Sequence, residues 1–403
     1  MTGYFDHAAT APLRPEAAAA MLPWLTERFG NPSGSHAVAR AAREAVDEAR
    51  EVFGELLGIP AGGVVFTSGG TESDNLAVLG AAAARPGALV TTPVEHEAVL
   101  GAVSLAAAAS AAAAASAAAA GEVRMLAVDA DGVVDLDRLD EVLDRSVSVV
   151  SVQLVNNETG VIQPVEAVAR RVRRRAPDAV VHTDAVQAFG WLDLRGLPVD
   201  LLSLSAHKFG GPQGVGVLAV ADGIELPAVW GGGGQERERR PGTHNVAGIV
   251  GAAAAARAAA AERDLAVTRV GRLRDRLVAG LVDSMPGCRE TAPGRGKAAG
   301  HAHLLVEGVE SEALLVLLDD AGICASAGSA CASGAMEPSH VLLAMGLEAE
   351  EALGSLRLTL GPTTTDADVD LALSVVPDAV SRLRAVSGAP SEVRSGVASE
   401  ARS

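Results

Sequence analysis

Helical stretches and short β-branched runs alternate along the sequence from about Ala37 to Val220. Ala37–Leu57 has apolar residues at helical spacing with Arg and Glu between them, and Gly58-Ile59-Pro60 ends it. Strands separated by helices are typical of a mostly parallel sheet with helices on both faces. Ligand groups are then expected in the loops at the carboxyl ends of the strands. We predict strands at 64–67, 89–92, 123–128, 147–155, 180–183, 201–205 and 215–220.

A second, smaller unit is predicted beyond a long alanine-rich helix that starts at Ala247 and continues through Leu281. A chain of 403 residues is long enough for two domains. Residues from about 387 onward are rich in Ser, Gly, Ala, Glu and Arg and are expected to be disordered. The second unit has predicted strands at 303–306 and 356–360, a helix at 311–321 and a loop at 324–333.

The charge balance is acidic, with 33 Lys and Arg against 50 Asp and Glu, a net charge of −17. This balance argues against a nucleic-acid partner and for a soluble, cytoplasmic protein. Residues 1–14 lack a basic segment followed by an apolar one, so no signal peptide is predicted. Residues 102–120 are nearly all alanine, a helix former but a weak hydrophobe, which favours a solvent-facing helix over a membrane span.

Lys208 follows the apolar strand at 201–205 and enters the turn Ala206-His-Lys-Phe-Gly-Gly-Pro212. Lysine is a poor occupant of a strand end unless an amine is needed there. The commonest such need is a Schiff base with an aldehyde cofactor. Asp184 ends another apolar run, and a carboxylate is the partner that a pyridinium nitrogen requires. Lys208 and Asp184 together indicate pyridoxal 5′-phosphate (PLP) chemistry.

Two further segments offer groups to a cofactor. Ser68-Gly-Gly-Thr-Glu72 lies between a strand and a helix, where backbone N–H groups, a hydroxyl and the helix dipole attract an anion. A simple N-cap has the same pattern. His96 follows the strand at 89–92, and its imidazole can stack on a flat ring or move a proton. A lone histidine is more often structural, but Asp184 and Lys208 at the same sheet edge favour the functional role.

Other polar groups are predicted at this edge. Asn156-Asn-Glu-Thr-Gly160 closes the strand at 147–155, where an amide can bond both a ring hydroxyl and a substrate carboxylate. An ordinary Asn/Gly turn is the alternative. Gln187 can donate to the phenolic oxygen of the ring, and Ser205 and His207 are candidate phosphate donors.

Cys331 lies among small residues at 325–334. Small neighbours give an open, mobile segment, which a nucleophile that travels to its target needs. A buried cysteine in a tight turn is the alternative. Cys324 is predicted to be buried and Cys288 to be a surface thiol. No Cys-x-x-Cys pair is present, so neither a metal site nor a disulfide framework is expected.

Arg357 lies in the mostly apolar strand at 356–360, where an arginine usually holds a carboxylate in a bidentate grip. An internal Asp or Glu, or the carboxylate of a substrate, satisfies it equally. Thr243, in Arg240-Pro-Gly-Thr-His-Asn245, is a further candidate phosphate donor.

The ordered motifs resemble those of cysteine desulfurases of the NifS/IscS-like class, which are class-V members of the fold-type-I PLP enzymes related to aminotransferases. The resemblance runs from Phe5 to about Thr365. Its motifs are Phe5-Asp-His-Ala-Ala-Thr10, Gly30-Asn-Pro-Ser33, Phe66-Thr-Ser-Gly-Gly-Thr-Glu-Ser73, Glu95-His96, Asn156-Asn-Glu-Thr-Gly160, Asp184-Ala-Val-Gln187, Ser205-Ala-His-Lys208, Gly232-Gly-Gly-Gln-Glu236, Gly328-Ser-Ala-Cys331 and Pro338-Ser-His-Val-Leu342.

The resemblance implies an α/β fold, that of a PLP-dependent transferase of fold type I. Its large domain has a mostly parallel seven-stranded sheet, and its smaller C-terminal domain is α+β. We expect the large PLP-binding domain at 15–255, the small domain with the catalytic cysteine loop at 1–14 and 256–386, and a disordered tail at 387–403.

The resemblance also implies a role for each matching residue. Lys208 would bond to the cofactor aldehyde, Asp184 would pair with the pyridine nitrogen, and His96 would stack on the ring. Gln187 and Asn157 would contact the phenolic oxygen and the substrate. The phosphate would be held by Gly70, Thr71, Ser205, His207 and, across a homodimer interface, Thr243.

The implied reaction converts L-cysteine and an acceptor thiol into L-alanine and a persulfide, for iron–sulfur cluster assembly or for thiolation of tRNA or cofactors. Arg357 would bind the substrate carboxylate, Cys331 would accept the sulfur, and the catalytic groups would be Lys208, Cys331 and His96. The expected partners are L-cysteine, a second copy of the chain and a sulfur-acceptor protein, with no membrane. The alternatives are a selenocysteine lyase, another PLP-dependent lyase or aminotransferase, and an assembly platform for sulfur transfer.

Three positions depart from the family pattern without removing a chemical role. Gly70 replaces a frequent alanine, Pro241 stands where serine is usual, and Gly361-Pro-Thr363 lacks an arginine that many members have. The alanine tract at 102–120 is longer than is typical.

Overall fold

The computed structural model describes residues 3–113, 121–328 and 337–387. The strands are β1 (Gly3–Tyr4), β2 (Val64–Thr67), β3 (Ala88–Thr91), β4 (Val123–Met125), β5 (Val147–Ser151), β6 (Val180–Asp184), β7 (Leu201–Ser205), β8 (Gly216–Val220), β9 (Cys288–Glu290), β10 (His301–Val306), β11 (Ile323–Cys324) and β12 (Ser355–Thr359). The helices are α1 (Pro15–Thr26), α2 (Ala37–Leu57), α3 (Gly70–Ala84), α4 (Glu97–Ala113), α5 (Leu139–Val142), α6 (Val165–Arg175), α7 (Val246–Ser284), α8 (Ser311–Asp320), α9 (His340–Ala344), α10 (Ala349–Ala352) and α11 (Asp366–Ser387).

A seven-stranded sheet forms the centre of the larger unit, in the order β2-β8-β7-β6-β5-β3-β4. The pairs from β7 to β4 are parallel, and β8 is antiparallel to both of its neighbours. The α/β class and the mostly parallel seven-stranded sheet that the alternating pattern predicts are therefore confirmed.

Successive side chains of the strands face opposite sides of the sheet and build a core on each. Val64 and Phe66 pack with α2, α6 and the first part of α7. Val65, between them, packs with α3 and α4. Period-two alternation within fully apolar strands therefore explains why helices cover both faces.

The parallel strands end at one edge of this sheet. Asp184 is the last residue of β6 and pairs in register with Ser203 of β7. β2 runs antiparallel to β8, which runs antiparallel to β7, so Thr67 also ends at this edge. The segments after β2, β3, β5, β6 and β7 consequently converge, as expected for a ligand site in such a sheet.

The second unit has the three-stranded antiparallel sheet β12-β10-β9 and the parallel pair β1–β11. The helix α7 joins the two units, with Ala252–Ala259 in the first core and Val270–Leu281 in the second. The predicted boundary between residues 255 and 256 falls inside this helix, and the proposed domain division stays a prediction. The tail at 387–403 lies outside the described residues apart from Ser387.

Two predicted strands are shorter in the structure. The strand predicted at 123–128 ends at Met125, and that at 147–155 ends at Ser151. Val128 and Val155 form isolated bridges to Val134 and Ile162 instead of continuing the sheet. The β-branched residues beyond Met125 and Ser151 therefore reflect burial rather than hydrogen bonding to a neighbouring strand.

The alanine tract is helical in α4 up to Ala113, and 114–120 lie outside the described residues. No helix among the described residues is long and apolar enough to cross a bilayer.

Glu236 ties three distant elements together. Its carboxylate accepts two hydrogen bonds of 2.8 Å from Arg50 of α2, one of 3.0 Å from the Phe66 N–H and one of 2.7 Å from His244 Nε2. Burial alone would raise the pKa of Glu236, but the bonds from Arg50 and His244 hold it at about 2. A buried carboxylate so fully bonded fixes the segment from 235 to 244 against the sheet.

We predict that Glu236→Gln lowers the free energy of unfolding by about 3–5 kcal/mol at neutral pH, because Arg50 is left buried without its counter-charge. The depressed pKa gives stability above the unfolded value near 4.3 that is lost as pH falls towards 2. Chemical denaturation should therefore show the two proteins converging between about pH 4.3 and 2.

The control is Glu166→Gln, which removes an exposed pair with Arg170 and should leave stability unchanged within error. Equal stabilities of Glu236→Gln and wild type at neutral pH would contradict this role of Glu236.

Candidate active site

A cavity of about 320 Å³ opens at the carboxyl edge of the large sheet. Its walls come from loops after several strands, from the segment after β1 and from β12. The predicted site residues that line it are Gly70, Thr71, His96, Asn157, Asp184, Gln187, Ser205, His207, Lys208 and Arg357.

The Lys208 amine lies at the junction of the two units. It donates hydrogen bonds to the carbonyl oxygens of Ala8 and Ala9, the latter at 3.0 Å. Burial and the nearby Arg357 charge lower the pKa of Lys208 to about 8, against the opposing influence of Asp184 and Asp6. An amine with this pKa has a neutral fraction near neutral pH and is therefore a usable nucleophile or base.

The Asp184 carboxyl is buried opposite this amine. Its Oδ1 accepts a 2.8 Å hydrogen bond from the Val186 N–H. Burial raises the pKa of Asp184, whereas the His96 and Lys208 charges oppose that rise. A cationic ring nitrogen is the partner that would satisfy such a carboxylate.

The His96 ring is oriented by the start of α4. Its Nδ1 accepts a 3.1 Å hydrogen bond from the Ala98 N–H, and the ring is exposed at the cavity wall. An accepting Nδ1 leaves Nε2 as the protonated nitrogen of the neutral ring. The ring is thus held at the cavity while one face stays accessible.

Asn156 and Asn157 have different tasks. The buried Asn156 accepts from the N–H groups of Glu158 and Thr159 and donates to Val94 O at 3.1 Å, which shapes the turn. Asn157 lines the cavity, and its backbone carbonyl oxygen accepts a 2.9 Å hydrogen bond from Arg357 Nη1. The Asn-rich turn that the sequence left ambiguous is both a structural turn and a cavity wall.

Arg357 is buried in β12 with an internal partner. Its Nη2 lies 2.9 Å from Asp6 Oδ1, and its Nε has no hydrogen-bond partner among the described residues. Asp6 therefore holds one nitrogen only, and the guanidinium retains unused donors. Gln187 donates to Ala8 O at 2.9 Å at the same wall.

The phosphate-donor candidates surround the N-terminus of α3. A Cβ on Gly70 would lie 2.8 Å from Val186 Cγ2, so an alanine there would require the Val186 side chain to move. His207 Nδ1 lies 3.1 Å from Thr10 Oγ1, and burial followed by the Lys208 charge lowers the pKa of His207 to about 4. Thr71 and Ser205 complete a cluster of hydroxyl, imidazole and helix N–H groups that fits an anion.

Thr243 lies outside this cavity and is exposed. Its segment is held near α3 because Arg240 Nε lies 2.7 Å from Glu72 Oε1. The role of Thr243 across a homodimer interface stays a prediction.

Cys331 lies outside the described residues. One side chain, Glu158, lies close to residues on both sides of its segment. Ser339, the N-cap of α9, donates to Glu158 Oε2, and a Cβ on Gly328 would lie 3.1 Å from the same oxygen. Gly328 itself lines the cavity, so the segment that carries Cys331 starts at its wall.

The predictions for the other two cysteines were wrong. Cys288 is buried in β9, where burial raises its pKa to about 11, because the turn at Pro286 and Gly287 leads directly into the small sheet. Cys324 is half-buried, because β11 pairs with β1 at one side only.

Sequence reasoning missed Asp6, Asp74 and Glu158. Asp74 lines the cavity from α3, Asp6 forms a hydrogen bond with Arg357, and Glu158 accepts a hydrogen bond from Ser339, which follows the Cys331 segment. Asp6 and Glu158 lie inside quoted motifs and Asp74 directly follows one, but only tertiary contacts distinguish them from solvated acids.

The residues present fit PLP. A buried carboxylate that has no cation hydrogen-bonded to it among the described residues faces the cavity. The lysine amine has a lowered pKa, and a glycine turn with hydroxyls lies at a helix N-terminus. These groups match the ring nitrogen, the aldehyde and the phosphate of that cofactor.

Comparison with known proteins identifies the family. The aminotransferase class-V family profile matches residues 3–372. A cysteine desulfurase IscS of Methanosarcina thermophila is 40% identical over 95% of this chain and 93% of its own length. An IscS-like cysteine desulfurase of Mycobacterium tuberculosis is 43% identical over 94% of this chain and 97% of its own length.

Solved structures agree with these relatives. A NifS-like protein superposes with a TM-score of 0.87 at 34% identity, over 95% of this chain and all of its own. The protein SspA in complex with cysteine superposes with a TM-score of 0.76 at 30% identity, over 90% of this chain and 100% of its own. The resemblance to NifS/IscS-like proteins that the motifs carry is confirmed, and the chain belongs to the class-V aminotransferase family.

Proposed function

We propose that this protein is a PLP-dependent cysteine desulfurase, which converts L-cysteine and an acceptor thiol into L-alanine and a persulfide. The observation that carries the proposal is the convergence of Lys208, Asp184 and Arg357 on one cavity at whose wall the Cys331 segment starts. The names of relatives that match nearly the whole chain support the same reaction.

PLP would be held by groups already in position. Asp184 would bind the ring nitrogen and His96 would lie against the ring. Gly70, Thr71, Ser205 and His207 would hold the phosphate, with Thr243 supplied by the partner copy. When bound, PLP supplies an electron sink that weakens the Cα–H bond of the substrate.

Lys208 would attach the cofactor and then act as the base for the Cα proton. Its lowered pKa of about 8 leaves part of the amine neutral at neutral pH. The carbonyl oxygens of Ala8 and Ala9 hold the amine when it is free of the cofactor. Lys208 therefore moves a proton within a small region without a large rearrangement of the chain.

Arg357 would bind the substrate carboxylate. Its guanidinium has an unpartnered Nε and a one-point bond to Asp6, so a carboxylate can gain a two-point grip there. Asn157, whose backbone oxygen receives Arg357 Nη1, places an amide beside that carboxylate.

Cys331 would be the sulfur acceptor. Its thiolate attacks the substrate sulfur, an S–S bond forms, and the Cβ–S bond breaks with its electron pair passing to the carbon skeleton, which is protonated and leaves as alanine. His96, at the cavity wall, would accept the thiol proton at Nδ1 after that nitrogen releases the Ala98 N–H. The persulfide then passes to an acceptor protein, in iron–sulfur cluster assembly or thiolation.

We further propose a homodimer that acts in the cytoplasm, where thiols stay reduced. Leu22, Leu25 and Phe29, in α1 and just after it, are 58%, 65% and 77% exposed. Apolar side chains so exposed at helical spacing favour burial against another protein surface. The exposed Thr243 is available to the partner copy.

We predict that Cys331→Ser stops sulfide release from L-cysteine and reductant while the visible absorbance of bound PLP is retained, because the thiol acts after cofactor and substrate are bound. Sulfide and alanine assays with absorbance spectra check this result. The control is Cys288→Ser, whose buried thiol with a pKa of about 11 is unreactive and should leave the rate unchanged.

Full sulfide release by Cys331→Ser would contradict its role. A strict preference for selenocysteine in a parallel assay would instead favour the lyase alternative.

We predict that Arg357→Lys raises the KM for L-cysteine about ten- to a hundredfold with a smaller change in kcat, because a charged two-point bond is lost. The matched variant is Asp6→Asn, which weakens only the internal partner of the guanidinium. Steady-state kinetics should show an unchanged or lower KM for Asp6→Asn. An equal rise in KM for both variants would contradict this role. It would mean that Arg357 acts through its ion pair with Asp6 rather than by binding the substrate carboxylate.

A further inference from the structure

Asp74 and Asp184 both line the cavity and Glu95 interacts electrostatically with both, although the proposed function uses only Asp184. Asp184 is joined by Asp74 of α3 and Glu95, which precedes α4, and each of these interacts electrostatically with Asp184. Asp74 is 1% and Glu95 0% exposed. Buried carboxylates this close cannot all be ionised without a large cost, so the protons of the group must be distributed unequally.

Asp74 has little to stabilise a negative charge. Its Oδ1 has no hydrogen-bond partner among the described residues, and its carboxyl is bonded to the Ser203 side chain. The nearest ring nitrogen, His182 Nε2, is 3.6 Å from Oδ1. Burial lowers the pKa of His182 to about 3, so this imidazole is neutral and is no counter-ion.

The His182 ring is fixed as part of the same buried chain of groups. Its Nδ1 lies 2.8 Å from Ser151 Oγ and its Nε2 3.0 Å from Ser203 Oγ. Both imidazole nitrogens are thus paired with serine hydroxyls, and neither forms a hydrogen bond with Asp74. A neutral carboxyl is therefore the form of Asp74 that complements its surroundings.

Asp184 has the stabilising groups that Asp74 lacks. It accepts from the Val186 N–H, and the charge of Lys208 favours its anion. Glu95 accepts from the Gln153 N–H at 2.7 Å, but its Oε2 has no partner among the described residues and burial raises its pKa. The negative charge of the cluster therefore belongs on Asp184.

We propose that Asp74 is a positioning residue held as a neutral carboxylic acid, which leaves Asp184 as the anion of the cluster. This inference rests on the proposed function, since the Asp184 anion would hold the protonated ring nitrogen of PLP. An ionised Asp74 would raise the proton affinity of Asp184 and of the groups around it. A neutral Asp74 leaves the negative charge of the cluster on Asp184, where it would pair with the ring nitrogen of PLP.

Infrared spectroscopy of the holoenzyme with carboxyl-¹³C-labelled aspartate tests the proposal directly. At neutral pH, wild type should show the carbonyl stretch of a protonated aspartic acid, and Asp74→Asn should lack it. If the variant does not fold, the wild-type spectrum is sufficient. Absence of the protonated-acid band from that spectrum overturns the proposal. Its persistence in folded Asp74→Asn also overturns it.

The pH dependence of the free energy of unfolding gives a second test. A side chain that only filled space would leave this dependence unchanged. Burial and the Asp184 charge raise the pKa of Asp74 in the folded state, so its contribution is present below the unfolded value near 3.9 and is lost as pH rises. Denaturation should show the unfolding equilibrium constant of wild type rising about tenfold per pH unit relative to Asp74→Asn, up to the folded pKa.

The matched control is Asp178→Asn, on the exposed turn after α6, whose difference from wild type should stay flat with pH. A flat or opposite difference for Asp74→Asn overturns the proposal. Failure of the proposed function is distinguishable, because a protein that does not take PLP lacks visible absorbance, whereas the infrared band and the pH dependence concern the folded chain.

Discussion

The burial of Asp184 at the end of a parallel strand is the constraint on which the rest of the cavity depends. β6 lies inside the sheet, and its last residue therefore comes out of the core with its carboxyl still shielded from water. Such a charge needs a cation, and the surroundings supply only partial compensation through His96, Lys208 and one N–H group. The cavity is in this sense prepared for a cationic ring.

Burial at this edge of the sheet also explains the reactivity of the Lys208 amine. β7 is the parallel neighbour of β6, so the turn after it delivers the amine to the cavity that Asp184 faces. Removal from water and the Arg357 charge lower the pKa of this amine, while Asp184 limits the fall. Arg357 reaches the cavity from the other sheet, so the site is assembled where the two units meet and needs both.

Much of this could be predicted from the sequence because the signals are local. Alternating β-branched runs and helices predicted the sheet, and polar residues at strand ends predicted Asp184, His96 and Lys208 on one edge. The Asp6–Arg357 bond and the Ser339–Glu158 bond could not be predicted, because their partners are separated by 351 and 181 residues. Cys288 and Cys324 were misjudged because burial depends on which strands pair.

The central claim is a covalent bond between Lys208 and PLP, and the composition of the chain makes it directly testable. Lys208 and Lys297 are the only lysines in the sequence. The Lys297 amine donates a 2.6 Å hydrogen bond to Glu290 and lies away from the cavity. Borohydride reduction of the yellow holoenzyme, followed by peptide mass spectrometry, should place the phosphopyridoxyl group on Lys208 and leave Lys297 unmodified. A label on Lys297, or an unlabelled Lys208 in protein that still carries the cofactor, would contradict the account.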